Sequence, residues 1–171
     1  MKSIYYLFFI ILFTSCNICD KKIGRELETR REITRKIIEN AKNCALITVD
    51  SEGNAYARAM DPFLPEEDFT IWMATNPISV KVQEIRRNPK TTLYYFDAKT
   101  VSYVTLLGTA ELVNTKEEKE KFWKEEWKNF YKNRTTDYLL IKFTPKSGTV
   151  VSEKYNILGD SITWQAPSLK F

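Results

Sequence analysis

The hydrophobic pattern changes period several times along the chain, and each change marks an element. From Arg25 to Asn43, Leu27, Thr34, Ile37, Ile38 and Ala41 fall near helical spacing with charges between them, which predicts an amphipathic helix. Ala45-Leu46-Ile47-Thr48-Val49 is a β-rich apolar run, Asp50 to Asn54 carries turn residues, and Ala55 to Met60 resumes extended alternation, so a hairpin follows. Phe69 to Ala74 reads as a third strand. Asn76 then stands where a helix cap belongs and Pro77 suits the first helical position; this helix runs to about Arg87, with Val82 and Ile85 inward and Pro89 as its stop.

Two more strands are expected at Thr91 to Phe96 and Val101 to Val113, with Gly108 allowing a bulge or bend. Thr115 and Glu118 fit the reciprocal capping box, and Trp123, Trp127, Phe130 and Tyr131 recur near one helical face, predicting an aromatic-faced helix that ends near Lys132. Packing across a sheet is the simpler explanation of that face; contact with a ligand is the other. Strands return at Tyr138 to Phe143 and Thr149 to Tyr155, with Ile162 to Gln165 as a short last one. So few βαβ crossovers predict a mainly β fold with peripheral helices, its antiparallel strands closed as a barrel or a strongly curled sheet.

The chain start has a different pattern. Lys2 gives a positive start, Tyr5 to Phe13 is wholly apolar, and Thr14-Ser15 places small residues before Cys16, as in a signal peptide. Spanning a bilayer takes roughly 20 apolar residues, so this run reads as an export segment and not as a permanent anchor. Leu12-Phe13-Thr14-Ser15-Cys16 resembles a relaxed bacterial lipobox, with Phe13 where Leu is usual; ordinary secretion or an uncleaved apolar tail are the other readings. The division expected is therefore a signal peptide over 1–15, a tether over 16–24 lipid-anchored through Cys16, and one domain over 25–171. That places the protein in a bacterial cell envelope, held on a lipid bilayer at its periplasmic or surface side.

Composition narrows the chemistry. Of 171 residues, 43% are hydrophobic and only five are Gly, so a real core is expected. The net charge of +4 is dispersed along mixed-charge helix faces, and nucleic acid is not an expected partner. The chain has no His, which removes imidazole as base, metal ligand or haem ligand, and with three Cys no metal site is expected. A Cys19–Cys44 disulfide is one reading of the two remaining thiols, though Cys44 is more simply a small buried hydrophobe. Neither common phosphate-loop fingerprint is present. Redox chemistry here must use a borrowed organic cofactor.

Two places look able to grip an anion. At Thr75-Asn76-Pro77-Ile78-Ser79-Val80-Lys81 a strand gives way to a helix, bringing hydroxyls, free N–H groups and a Lys within one turn. Plain capping and solvation is the alternative. Arg58 lies mid-strand between small residues, either facing solvent or facing an anion.

Ala45-Leu46-Ile47-Thr48, Ala57-Arg58-Ala59-Met60, Ile71-Trp72-Met73-Ala74-Thr75, Ser79 to Pro89 and Leu107-Gly108-Thr109-Ala110 occur in an order that resembles the FMN-binding split barrels related to pyridoxamine 5'-phosphate oxidase, especially the general stress protein branch. The S-x-K…I-R-x-N-P stretch after a strand ending in Thr is its most specific part. The resemblance covers about 70 residues well and weakens after Val113. It implies an antiparallel split β-barrel with FMN as cofactor. Arg58 and Lys81 would neutralise the phosphate and Ser79 would donate to it. Ala59 and Met60, with the backbone of Trp72 to Thr75 (hence Met73, Ala74 and Thr75), would line the isoalloxazine. It also implies a homodimer with flavin at the interface, across which Trp164 reaches.

The tail Trp164-Gln165-Ala166-Pro167 lacks the Arg and His that pyridoxamine phosphate oxidases proper use on their substrate. The resemblance therefore points to an FMN-dependent oxidoreductase passing electrons between a reduced donor and an unidentified small molecule, with no catalytic side chain identified. A non-catalytic flavin- or ligand-binding envelope lipoprotein, and a structural barrel that has lost its cofactor, are the alternatives.

Overall fold

The computed structural model describes residues 24–171. The signal peptide, most of the tether, Cys16 and Cys19 lie outside the described residues. An N-terminal helix, α1 (24–41), is followed by β1 (Cys44–Val49), β2 (Ala55–Met60) and β3 (Ile71–Thr75), then α2 (Val80–Arg87), β4 (Lys90–Asp97) and β5 (Ser102–Val113). A short helix α3 (Lys116–Lys121) and a 3₁₀ turn (Glu125–Asn129) precede β6 (Leu139–Val151) and β7 (Ser168–Lys170).

The strands form one antiparallel sheet in the order β2-β1-β4-β5-β6-β3, with β7 added on β6. The two ends of that order nearly meet. Just past β2, Pro62 bridges Met73 of β3, and the Phe63 N–H donates to the Trp72 carbonyl at 2.8 Å. The sheet is thus a barrel that closes at one point and is split beyond it. The mainly β class with peripheral helices expected from the sequence is the one observed.

Alternation along the strands fixes which side chains fill the barrel. Leu46, Ile71, Met73, Leu93, Tyr95, Leu106, Ile141 and Phe143 pack inside with Ile37 and Ile38 of α1. Trp72, Ala74 and Leu140, one residue out of phase, point to the other face and are covered by Phe122, Trp127 and Tyr138. Cys44 is a free thiol in the first of these clusters, as a small hydrophobe.

Several element boundaries differ from the expected ones. The helix after β3 begins at Val80 and not at Pro77, because the Asn76 side chain accepts from the Ile78 N–H at 3.0 Å and holds a turn, leaving Ser79 as N-cap. The aromatic helix does not run to Lys132. Thr115 caps it, but it ends at Lys121, where Phe122 turns and stacks on Trp72 at 4.3 Å while Trp123 meets Tyr138 edge-on at 5.2 Å. Adjacent helical residues point about 100° apart, so a straight helix could not set both rings on one cluster.

The two late strands are a single strand, β6, kept continuous by a register shift at Leu107/Gly108 that places Pro145 opposite Gly108. Residues 161–163 form a turn, since Asp160 Oδ1 accepts from the Ile162 and Thr163 N–H groups; the short terminal strand is Ser168–Lys170.

Candidate functional site

The split creates a groove. Continued past the Pro62–Met73 bridge, the antiparallel register would pair residues 59–61 with 74–76, but β2 and β3 part there. The space between them, about 540 Å³, is lined by Ala59, Met60 and Asp61 on one side and Ala74, Thr75 and Asn76 on the other. Lys81 of α2 stands at the groove, and Glu126, Trp127, Phe130 and Tyr131 form its outer wall. Small side chains on the strands and rings on the wall make a slot suited to a flat molecule.

Lys81 is held by the strand-to-helix turn. Its Nζ donates to Thr75 Oγ1 at 3.1 Å, and Thr75 Oγ1 lies 3.0 Å from Ser79 Oγ. Among the described residues no carboxylate lies within ion-pair distance of the ammonium. Burial, followed by the neighbouring charge of Arg58, pushes its pKa below the ordinary value, while Glu84 acts weakly in the opposite direction.

Arg58 is engaged elsewhere. Its Nη2 lies 2.7 Å from Glu84 Oε2, its Nη1 donates to Thr48 Oγ1 and to the Tyr56 carbonyl, and Thr48 Oγ1 donates to the same Glu84 oxygen at 2.6 Å. Glu84 is buried on the inner face of α2, so a carboxylate on a helix and a guanidinium on a strand form an ion pair beside the groove.

Of the sequence-predicted residues, Ala59, Met60, Ala74, Thr75 and Lys81 line the groove, and Ser79 is joined to it through Thr75. Arg58 reaches it as a charge, with its head group tied to Glu84. Met73 is fully buried in the barrel, because the alternation of β3 turns its side chain inward, leaving only its backbone for a ligand. Trp164 is 86% exposed, just past the 161–163 turn, and is not among the groove residues.

Sequence reasoning missed Glu84, Asp61 and Asn76, and it named the wall's rings with ligand contact as the second of two readings. Asp61 braces that wall: its Oδ2 accepts from Trp127 Nε1 at 2.9 Å and its Oδ1 from Lys124 Nζ at 2.6 Å. The regular aromatic spacing was the available signal for the wall.

A family model described as "Pyridoxamine 5'-phosphate oxidase like" matches residues 28–163. Among solved structures, a Clostridium acetobutylicum protein related to general stress protein 26 is 21% identical, with 80% of this chain and 90% of that chain covered at a TM-score of 0.66. General stress protein 26 from Bacillus anthracis is 23% identical over 82% and 97% of the two chains, with a TM-score of 0.65. A pyridoxamine 5'-phosphate oxidase-related, FMN binding protein from Nostoc punctiforme is 12% identical over 86% and 95%, with a TM-score of 0.60. At these identities the likeness concerns the fold. No curated protein matches the chain.

Proposed function

The chain belongs to the pyridoxamine 5'-phosphate oxidase like family, and from that premise we propose that the groove at the split holds FMN and serves an oxidoreductase acting on a small molecule. The observation that carries this reading is Lys81: a half-buried ammonium, without a carboxylate partner among the described residues, opening on a slot walled by rings. A phosphate dianion fits this donor set. Lys81 Nζ, Ser79 Oγ and Thr75 Oγ1 would hold it, with Arg58 adding positive potential from behind.

When bound, FMN supplies the electron transfer between a reduced donor and an acceptor. The side chains bind, orient and shield. Ala59, Met60 and Ala74 leave room for the ring system along the strands. Trp127 and Tyr131 exclude water from the outer side, and the Asp61 carboxylate fixes the Trp127 indole. A second reading, binding without turnover, is favoured by one observation: both Asp61 oxygens are occupied by Lys124 and Trp127, so this acid serves as a strut and not as a proton carrier.

The proposal extends to the assembly. Tyr56, Phe96 and Leu107 are exposed apolar residues on strands, which suits a homodimer that completes the flavin site. The division into a signal peptide over 1–15, a tether over 16–24 and a domain from residue 25, with acylation of Cys16 holding the protein on a membrane of the cell envelope, rests on the lipobox-like segment. Cys16→Ser is expected to move the protein from the membrane to the soluble fraction; unchanged fractionation would refute the anchor. The flavin reading is tested by the absorption spectrum of the full chain purified in detergent with added FMN. Retained flavin that a nicotinamide donor reduces supports the oxidoreductase, retained flavin without reduction supports binding alone, and a colourless protein refutes both.

A further inference from the structure

Away from the groove, the loop that follows the aromatic wall folds back on α3 and bounds a second cavity of about 360 Å³, lined by Asn114, Lys116, Lys119, Glu120, Arg134 and Thr135. It shares no lining residue with the groove. Lys119 is only 8% exposed. Its Nζ donates to Asn114 Oδ1 at 3.0 Å and to the Thr135 carbonyl at 3.4 Å, two neutral acceptors for an ammonium with three hydrogens. Arg134 donates from Nη2 to the Lys119 carbonyl at 2.7 Å, and its guanidinium lies 4.2 Å over the Trp123 ring. Among the described residues that carbonyl is the only hydrogen-bond acceptor of the guanidinium, whose other N–H groups are left to face the cavity and solvent.

Among the described residues neither cation has a carboxylate within ion-pair distance; Glu120 stands 3.9 Å from Lys116 at the exposed rim. Burial and the charge of Arg134 both push the Lys119 pKa down. A buried ammonium beside a guanidinium is costly unless a counter-charge is supplied. The cavity is where that charge can enter.

We propose that this cavity binds a dianionic phosphate, as the free ion or as the end of a small phosphate monoester, with Lys119 and Arg134 as its protein ligands. Three cations against the single Glu120 leave a surplus of two positive charges around the cavity, which a dianion matches. The planar guanidinium fork together with a point-charge ammonium is the donor set that suits phosphate oxygens. The remaining volume of the cavity, between Asn114 and Thr135, can hold the organic remainder of a monoester.

Calorimetric titration of the full chain in detergent, with inorganic phosphate and with phenyl phosphate, tests this on Lys81→Ala, alone and combined with Arg134→Gln or Lys119→Met. Because the groove grips phosphate through Lys81, the comparison is made in the Lys81→Ala background: saturable binding is expected there, and about tenfold weaker binding once Arg134→Gln or Lys119→Met is added, for the loss of one charge-assisted contact. Phenyl phosphate binding more tightly than inorganic phosphate identifies a monoester site, and equal affinities identify a site for the ion itself. Arg134 is exposed, so Arg134→Gln is expected to fold as wild type does, checked by near-ultraviolet circular dichroism. Affinity unchanged on adding Arg134→Gln to Lys81→Ala, or no binding in Lys81→Ala, overturns the proposal.

Discussion

Arg58 and Glu84 lie 2.7 Å apart between β2 and α2, the guanidinium side chain 23% exposed and the carboxylate side chain 1%. This pair ties the helix that carries Lys81 to the strand that carries Ala59 and Met60. It also means that one of the two cations beside the groove is already half-neutralised from within the fold.

Unequal burial predicts unequal costs. Arg58→Ala leaves Glu84 buried with only the Thr48 hydroxyl, and is expected to cost roughly 3 kcal/mol or more of unfolding free energy. Glu84→Gln leaves a partly solvated Arg58 and is expected to cost less, about 1–2 kcal/mol. The double variant Arg58→Met/Glu84→Leu should recover much of the Arg58→Ala loss, because no charge is stranded. Urea unfolding of the three variants checks this; a double variant no more stable than Arg58→Ala would show that the two residues do not act as a pair.

Lys81 has a pKa lowered from an ordinary value of 10.5. Between the folded and unfolded values the unfolded chain holds the extra proton, so stability without ligand rises with pH across that window below 10.5. Lys81→Met reduces the rise, leaving the part that Lys119, shifted in the same direction, contributes. FMN has the reverse dependence, since its phosphate needs the ammonium, and affinity falls as pH climbs through the lowered pKa. Paired thermal melts and flavin titrations over that range decide both; a flat wild-type profile in each contradicts the assignment.

Gly108 sits at the bulge where β5 passes β6. A Cβ there would come within 2.2 Å of the Thr144 carbonyl oxygen and 2.7 Å of the Phe143 ring. Gly108→Ala is expected to destabilise by roughly 1–3 kcal/mol through overpacking against backbone. An unchanged unfolding midpoint would mean that the strands yield there.

Burial pushes the Cys44 thiol up to about 12. In a Cys16→Ser/Cys19→Ser background the native protein should leave a disulfide reagent unreacted near neutral pH and react fully once unfolded in denaturant. Stoichiometric labelling of the native protein would place Cys44 at the surface.

The parts of the fold that could be read in advance are those set by neighbours in sequence. The hairpin from Ala45 to Met60 follows from two alternating runs around Asp50 to Asn54, and Lys81 with Ser79 emerges from the junction after Thr75. Glu84 could not be read, since along an amphipathic helix a Glu looks solvated until the curl of β2 brings Arg58 onto it. The end of α3 at Lys121 has neither Gly nor Pro to announce it; it is imposed by Trp72 of β3 and by Tyr138, just before β6. Pro145 reads as the end of a strand until Gly108 is seen opposite, where the bulge absorbs the missing donor. Asp61 and Asn76 belong to a site only because two strands distant in sequence part beyond Pro62 and Met73.

The most direct test is a flavin-fluorescence titration of the apoprotein with FMN and with riboflavin, on wild type and Lys81→Ala. Wild type is expected to saturate with FMN and to bind riboflavin far more weakly, while Lys81→Ala loses at least about tenfold in FMN affinity and little in riboflavin affinity. Equal affinity for the phosphorylated and unphosphorylated flavins, or an FMN affinity indifferent to Lys81, would contradict a phosphate grip at the barrel split.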